Sequence, residues 1–331
     1  MVSSTLLIIA VVVVALAFGY VNGFHDTANS IATTVLTGAL SIPKAIFLAA
    51  SLNFLGAYLD KAVATTIGKG IVDPHTIDLS TVLAALFGAI IWNLLTWWRG
   101  LPSSSSHALI GGIVGAVVAR HGFSVFHAKG LQKIILALIL SPIMGFIVGT
   151  LFMVLLYWVF KDFRPGKLNK GFKFIQVLSA SAMAVSHGAN DAQKTMGLIT
   201  MALASGGFIP TFEVPGWVVF ACAFSMAMGT AAGGWRIIKT VGRKVLSLQP
   251  VHGFAAETSG AVVILGATAM GAPVSTTHVI SSAIMGVGSA QRMRGVRWNI
   301  VKQIVYAWVL TLPVSALIAG ACSWGMAFLE R

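Results

Sequence analysis

Charge is the scarcest commodity in this chain: Asp, Glu, Lys and Arg together make up 9% of 331 residues, against roughly a quarter in a soluble domain. A water-soluble globule is thereby excluded. Acid is scarcer than base, with nine Asp and Glu to twenty-two Lys and Arg and a formal net charge of +13. The basic residues sit in short connections between apolar runs, where the positive-inside bias of membrane proteins explains them and no nucleic acid is implied. Only two cysteines are present, Cys222 and Cys322, both inside apolar runs. They provide neither a disulfide framework nor a zinc-ligand spacing. No Gly-Lys-Ser/Thr of a Walker loop occurs. The run Leu6 to Phe18 lacks a basic segment before it and a cleavage site after it, so it reads as a retained first helix.

Apolar residues are abundant, at 57% with a mean hydropathy of +0.88, and runs long enough to span a bilayer recur from end to end. The fold class read from this is an all-α polytopic protein of the cell (inner) membrane, with lipid as its main surroundings.

The chain also repeats. Gly23-Phe24-His25-Asp26-Thr27-Ala28-Asn29 is echoed 165 positions later by Gly188-Ala189-Asn190-Asp191-Ala192-Gln193-Lys194. Leu101-Pro102-Ser103-Ser104-Ser105-Ser106-His107 returns at an offset of 171 as Ala272-Pro273-Val274-Ser275-Thr276-Thr277-His278. The same order at nearly the same spacing predicts two transmembrane repeats, 1–160 and 174–331, joined by a basic linker at 161–173 with a Pro165-Gly166 turn signal.

Placing that linker and the basic connections Arg236 to Lys244 and Arg292 to Lys302 in the cytoplasm, with the Lys- and Arg-free stretch Ser205 to Gly216 outside, fixes the crossings. The segments are 4–40, 44–59, 79–98, 102–118 and 131–160, then 174–207, 216–235, 250–270, 273–290 and 303–328. Five passages per repeat, an odd number, predict inverted-topology repeats with helical hairpins and both termini outside. Fifteen of the twenty-two basic residues then lie inside and six outside, with Lys194 in the membrane.

Segments 4–40 and 174–207 are too long for one straight crossing of a 30 Å core. Gly and polar residues at Asn22-Gly23 and Ser186-His187-Gly188 predict breaks at membrane depth, the usual pointer to a transporter's substrate site. Asp26 with Asn29, and Asp191 with Lys194, each project from one helical face. Intramembrane carboxylates are costly and mark ion or substrate sites, the bland alternative being an N-cap at the interface. His25 adjoins Asp26 in the slot that Asn190 fills in the other repeat, and its type suits proton transfer. His107 and His278 read equally well as packing residues. Glu257 stands in an apolar stretch, its partners not readable from spacing.

Ser104, Ser105 and Ser106, and Ser275, Thr276 and Thr277, follow a proline and open helices rich in small residues. Unsatisfied N–H groups, a positive dipole end and hydroxyl donors favour a tetrahedral oxyanion. Capping and helix packing are the alternatives for either run alone.

These motifs resemble those of the inorganic phosphate transporters of the PiT type, over essentially the whole chain. Gly188 to Asp191 and Pro273 to His278 match the family motifs closely, and Glu257 fits its membrane glutamate. The resemblance implies phosphate as substrate. His25 and Lys194 stand where sodium-coupled members have Asn, and a tethered ammonium at Lys194 would compete with a bound sodium. These variants resemble the bacterial low-affinity branch, which implies proton coupling and transport of a neutral divalent-metal phosphate complex, for example with Mg2+. Asp26 and Asp191 are then the metal-contacting groups. His25, Asp26, Asn29, Asn190, Asp191, Lys194 and Glu257 are the candidate ion or proton-coupling residues. No cofactor and no enzymatic activity are expected, and the assemblies open to such a chain include a homodimer. The other readings are a sodium-coupled phosphate symporter, a sulfate permease on the same scaffold, a passive anion channel, and an intramembrane acid-pair enzyme.

Overall fold

The computed structural model describes residues 4–163, 165–233, 248–291 and 296–329, apart from the side chains of 165–168, 291 and 329. The expected basic connection Arg236 to Lys244, and Arg292, Arg294 and Arg331, lie outside these. The described residues form eleven α-helices: α1 (Ser4–Leu36), α2 (Ile42–Gly56), α3 (Ala62–Lys69), α4 (Leu79–Trp98), α5 (Ser105–His121), α6 (Ala128–Val159), α7 (Pro165–Ser205), α8 (Gly216–Ala232), α9 (Pro250–Ala269), α10 (Thr276–Gln291) and α11 (Trp298–Leu329). Four of these, α1, α4, α6 and α11, are long and apolar enough to cross a membrane. The faces of α6 and α11 expose Leu151, Trp158, Leu317 and Trp324, as lipid-facing helices do.

Two expectations need correction. Neither α1 nor α7 is broken: both run as continuous helices, of 33 and 41 residues. The glycines at the expected breaks serve close approach instead. A Cβ on Gly23 would collide with the Met226 carbonyl of α8, and one on Gly188 with the Asn53 carbonyl of α2. Gly229 and Gly56 meet the backbones of α1 and α7 in return. The linker is also helical from Pro165 onward, since proline is well accommodated at a first helical position.

Helices α4–α5 and α9–α10 form two hairpins with the same turn chemistry. Gly100 and Gly271, 171 positions apart, take φ of 65° and 62°, a left-handed cap that favours glycine. The closing bonds match: Leu101 N–H to Thr96 O and Ala272 N–H to Ala267 O, both 2.9 Å. The base of α4–α5 is closed by Arg120 against Asp78 (2.7 Å). The tip of α9–α10 accepts hydrogen bonds from Lys133 at Met270 O (2.9 Å) and from Thr66 at Gly271 O (2.7 Å). Packing is reciprocal across the halves, with α5 on α11, α6 on α10, α1 on α8 and α2 on α7. The polar motifs of α1 and α7 and both hairpin tips are buried between them.

Candidate functional site

The hydroxyl-rich turns meet at the centre. Ser106 donates its hydroxyl to the Val274 carbonyl (2.9 Å), so the two hairpin tips are in direct contact. Lys194 on α7 joins both tips: its Nζ donates to Asp191 Oδ1, to Ser106 Oγ (2.6 Å) and to Val274 O (3.0 Å). All three ammonium protons are used, as burial of a charge requires. Thr276 donates to Asp191 Oδ2 (3.0 Å) and Thr277 to Asp26 Oδ1 (3.2 Å), while Asn29 donates to Thr277 (2.9 Å). One tip thus bridges the aspartates of both halves.

Three of the six candidate hydroxyls make these cross-links. Ser104 and Ser275 instead cap α5 and α10, accepting the N–H of His107 (3.1 Å) and His278 (3.2 Å). Ser105 Oγ is buried without a hydrogen-bond partner. The amides of Ser105, Ser106, Thr276 and Thr277 lie in first helical turns, where no intrahelical acceptor exists.

His25 Nδ1 faces Asp26 Oδ1 (2.8 Å), and Nε2 faces the hydroxyls of Thr96 (3.2 Å) and Ser103 (3.4 Å). His107 and His278 stack with ring centroids 4.4 Å apart, and His278 packs on Trp308 (4.0 Å), in keeping with a packing role. Asn190 turns to α9, donating to Thr268 (2.8 Å) and to Ala272 O (3.3 Å). The side-chain oxygens of Asn29 and Asn190 are buried without hydrogen-bond partners.

Glu257 is placed apart from the aspartates. It accepts from Thr33 and Thr34 of α1 and from Gln176 and Ser179 of α7, at 2.7 Å for Thr34 and 3.0 Å for Gln176. Thr33 is seven residues along α1 from Asp26, about 10 Å away.

Two central residues escaped the site reading. His187 lies one turn before Asp191, its Nε2 3.2 Å from Asp191 Oδ2, and its Nδ1 faces Asn53 Oδ1 of α2 (3.1 Å). His187 was visible inside the second motif, whereas Asn53 is a lone amide in an apolar segment with no counterpart in α8. One ligand atom each from Asp26, His187 and Asp191, all buried, lie within 4.8 Å of one another, the one such group among the described residues that could hold a metal ion.

Against known proteins, a model described as the phosphate transporter family matches residues 22–319. The chain is 51% identical to a Bacillus subtilis protein described as a probable low-affinity inorganic phosphate transporter, over 95% of each chain. A Rhizobium meliloti protein of the same description is 47% identical, over 96% of this chain and 95% of its own. A solved structure described as the sodium-dependent phosphate transporter superposes with a TM-score of 0.87 at 25% identity, covering 97% of this chain and 99% of that one.

Proposed function

Because the chain belongs to the phosphate transporter family, whose members are transporters and not enzymes, we propose that it imports inorganic phosphate by secondary active transport, coupled to protons and carrying phosphate as a neutral complex with a divalent metal. It is a multi-pass protein of the cell membrane. The observation that carries the proposal is charge next to donors. Asp26 and Asp191 outweigh the single ammonium of Lys194 by one negative charge, directly beside helix N-termini that suit a phosphate. An anion enters such a site only in company with cations, which makes coupling a requirement of the electrostatics.

The coupling groups are His25 with Asp26, where the one unprotonated nitrogen of a neutral ring or the adjoining carboxylate accepts a proton, and Glu257, which four donors hold. Lys194 is the electrostatic anchor. In this closed arrangement it links the tips, and phosphate binding requires it to exchange partners. The matching hairpin turns and reciprocal packing support inverted repeats that rock about the site and exchange conformations. Protonated phosphate can donate to Asp26 or Asp191, which sulfate cannot do.

The test is labelled phosphate uptake into proteoliposomes under an imposed proton or sodium gradient, with and without Mg2+, and with excess sulfate as competitor. Uphill uptake driven by the proton gradient, strengthened by Mg2+ and resistant to sulfate, is expected. Sodium-coupled symport is the second reading, favoured by the description of the solved neighbour, and uptake driven by the sodium gradient alone would establish it.

A further inference from the structure

The apolar surface of α6 and the basic linker meet at a cavity. Along α6, Leu151, Val154, Leu155 and Trp158 are exposed, and the helix ends at Val159. The linker that follows, 161–173, holds five Lys and Arg against one acid, Asp162. Lipid contact thus gives way to positive charge within one turn, at the depth of headgroups, and exposed Trp158 and Phe163 are the aromatic residues expected there. Between the end of α6, the start of α7 and the start of α9 lies a cavity of about 260 Å³, whose lining includes Tyr157, Phe160, Lys161, Asn169, Phe172 and His252. No carboxylate lines it among the described residues.

The polar groups of this cavity are donors. Gln249 donates its backbone N–H to His252 Nδ1 (3.2 Å), closing the N-cap of α9. Because Nδ1 accepts, the proton of the neutral ring sits on Nε2. His252 is 2% exposed, and among the described residues its Nε2 has no hydrogen-bond partner. The Lys161 ammonium, the Asn169 amide and the Tyr157 hydroxyl add further donors, and the first turn of α9 adds the positive end of a helix dipole. The walls are aromatic, Phe160 and Phe172 packing edge to face at 5.4 Å. A purely apolar occupant would leave a buried donor unpaired, and a small hydrated anion would lose water against these rings. A molecule with an anionic oxygen head and a hydrocarbon body satisfies both.

We propose that this cavity holds the headgroup of an anionic glycerophospholipid such as phosphatidylglycerol, with His252 Nε2, Asn169 and Lys161 donating to its phosphate oxygens and the acyl chains lying along the exposed face of α6. The site is separate from the cradle between the hairpin tips, since His252 and the tip residue Ala272 stand at opposite ends of α9, about 25 Å apart. A lipid bound here ties the linker to the second hairpin. One residue beyond His252, Gly253 packs against the Gln176 amide of α7, which in turn holds Glu257. Occupancy therefore steadies the two helices that build most of the Glu257 cluster.

The experiment titrates the full-length protein in detergent with phosphatidylglycerol or with zwitterionic phosphatidylcholine, counts bound lipid by native mass spectrometry and follows thermal unfolding in parallel. Phosphatidylglycerol should bind more tightly and raise the melting temperature, because a ligand of the folded state stabilises it. Lys161→Gln should weaken it about fivefold. His252→Asn keeps an acceptor for the Gln249 N–H but removes the Nε2 donor, and should weaken it about tenfold. Asn169→Leu should weaken it as well and serves if His252→Asn fails to fold. Lys170→Gln removes an exposed linker charge that does not line the cavity and should change binding little. Equal binding of the two lipids, or binding that survives all three cavity substitutions, would overturn the site. So would a loss in Lys170→Gln as large as in Lys161→Gln, which would show diffuse attraction to a charged surface. Displacement of the lipid by excess inorganic phosphate at fixed ionic strength would overturn it too, assigning the cavity to a free anion. Binding is read without transport, so its failure leaves the phosphate-transport reading untouched.

Discussion

At the scale of single residues, the hydroxyls of the two tips have distinct employments that mutation can separate. Ser104 caps α5, so Ser104→Ala should cost about 1 kcal/mol of stability. Ser105 Oγ has no partner to lose, so Ser105→Ala should leave the melting temperature in detergent nearly unchanged and raise the phosphate concentration for half-maximal uptake. Equal thermal losses in the two variants would contradict this division. Lys194 and Asp191 form a buried pair, and removing one partner strands a charge. Lys194→Met should therefore destabilise by about 3–5 kcal/mol, and adding Asp191→Asn should recover much of that loss. A double-mutant cycle on thermal unfolding measures it, and strict additivity would show that the pair does not interact.

At the scale of elements, the base of the first hairpin depends on Asp78, which caps α4 through Thr81 N–H (2.7 Å) and pairs with Arg120. Its partial burial raises the carboxyl's pKa, but hydrogen bonds from Thr81 and Ser80 and the Arg120 guanidinium outweigh that and hold it below the ordinary value. A depressed carboxylate contributes stability above its unfolded pKa, near 4, and loses it as pH falls through the folded value. Hydrogen exchange in the first turn of α4 should thus show protection that is flat from pH 8 to 5 and weakens in acid, and Asp78→Asn should remove the acid-dependent part. What was legible in the sequence follows the same logic of elements. Motifs duplicated at offsets of 165 and 171 announced α1, α7 and the two hairpins, because most of their polar residues had an echo. Glycine was the ambiguous letter. Gly23 and Gly188 read as breaks, yet in a membrane helix the same residue also allows a crossing backbone to approach, and only the packed partner, Met226 or Asn53, decides which. Asn53 and the donors around Glu257 were hidden because they have no polar counterpart in the other half and come from different helices.

For the whole molecule, that missing counterpart bears on direction. At the repeat offsets Glu257 corresponds to Leu86, Thr33 and Thr34 to Leu198 and Ile199, and Gln176 and Ser179 to Val11 and Val14. A five-residue polar cluster drawn from α1, α7 and α9 thus corresponds under the repeat to an apolar set, of which Leu86, Leu198, Ile199 and Val11 are fully buried. If the two halves exchange conformations, the central site looks alike from both sides, and Glu257 is what makes the sides unequal. If one proton accompanies each neutral complex, as proposed above, 100 mV contributes about 2.3 kcal/mol, or roughly fifty-fold accumulation. Glu257→Gln keeps the shape but removes the ionisable group, two turns away from the phosphate cradle. The variant should still exchange labelled for unlabelled phosphate across proteoliposomes at equilibrium, since exchange needs only the central site, and should lose accumulation driven by the proton gradient. Accumulation at the wild-type level would assign coupling to His25 and Asp26 alone. Loss of exchange as well would show that the Glu257 cluster is needed for the rocking motion itself and not only for its direction.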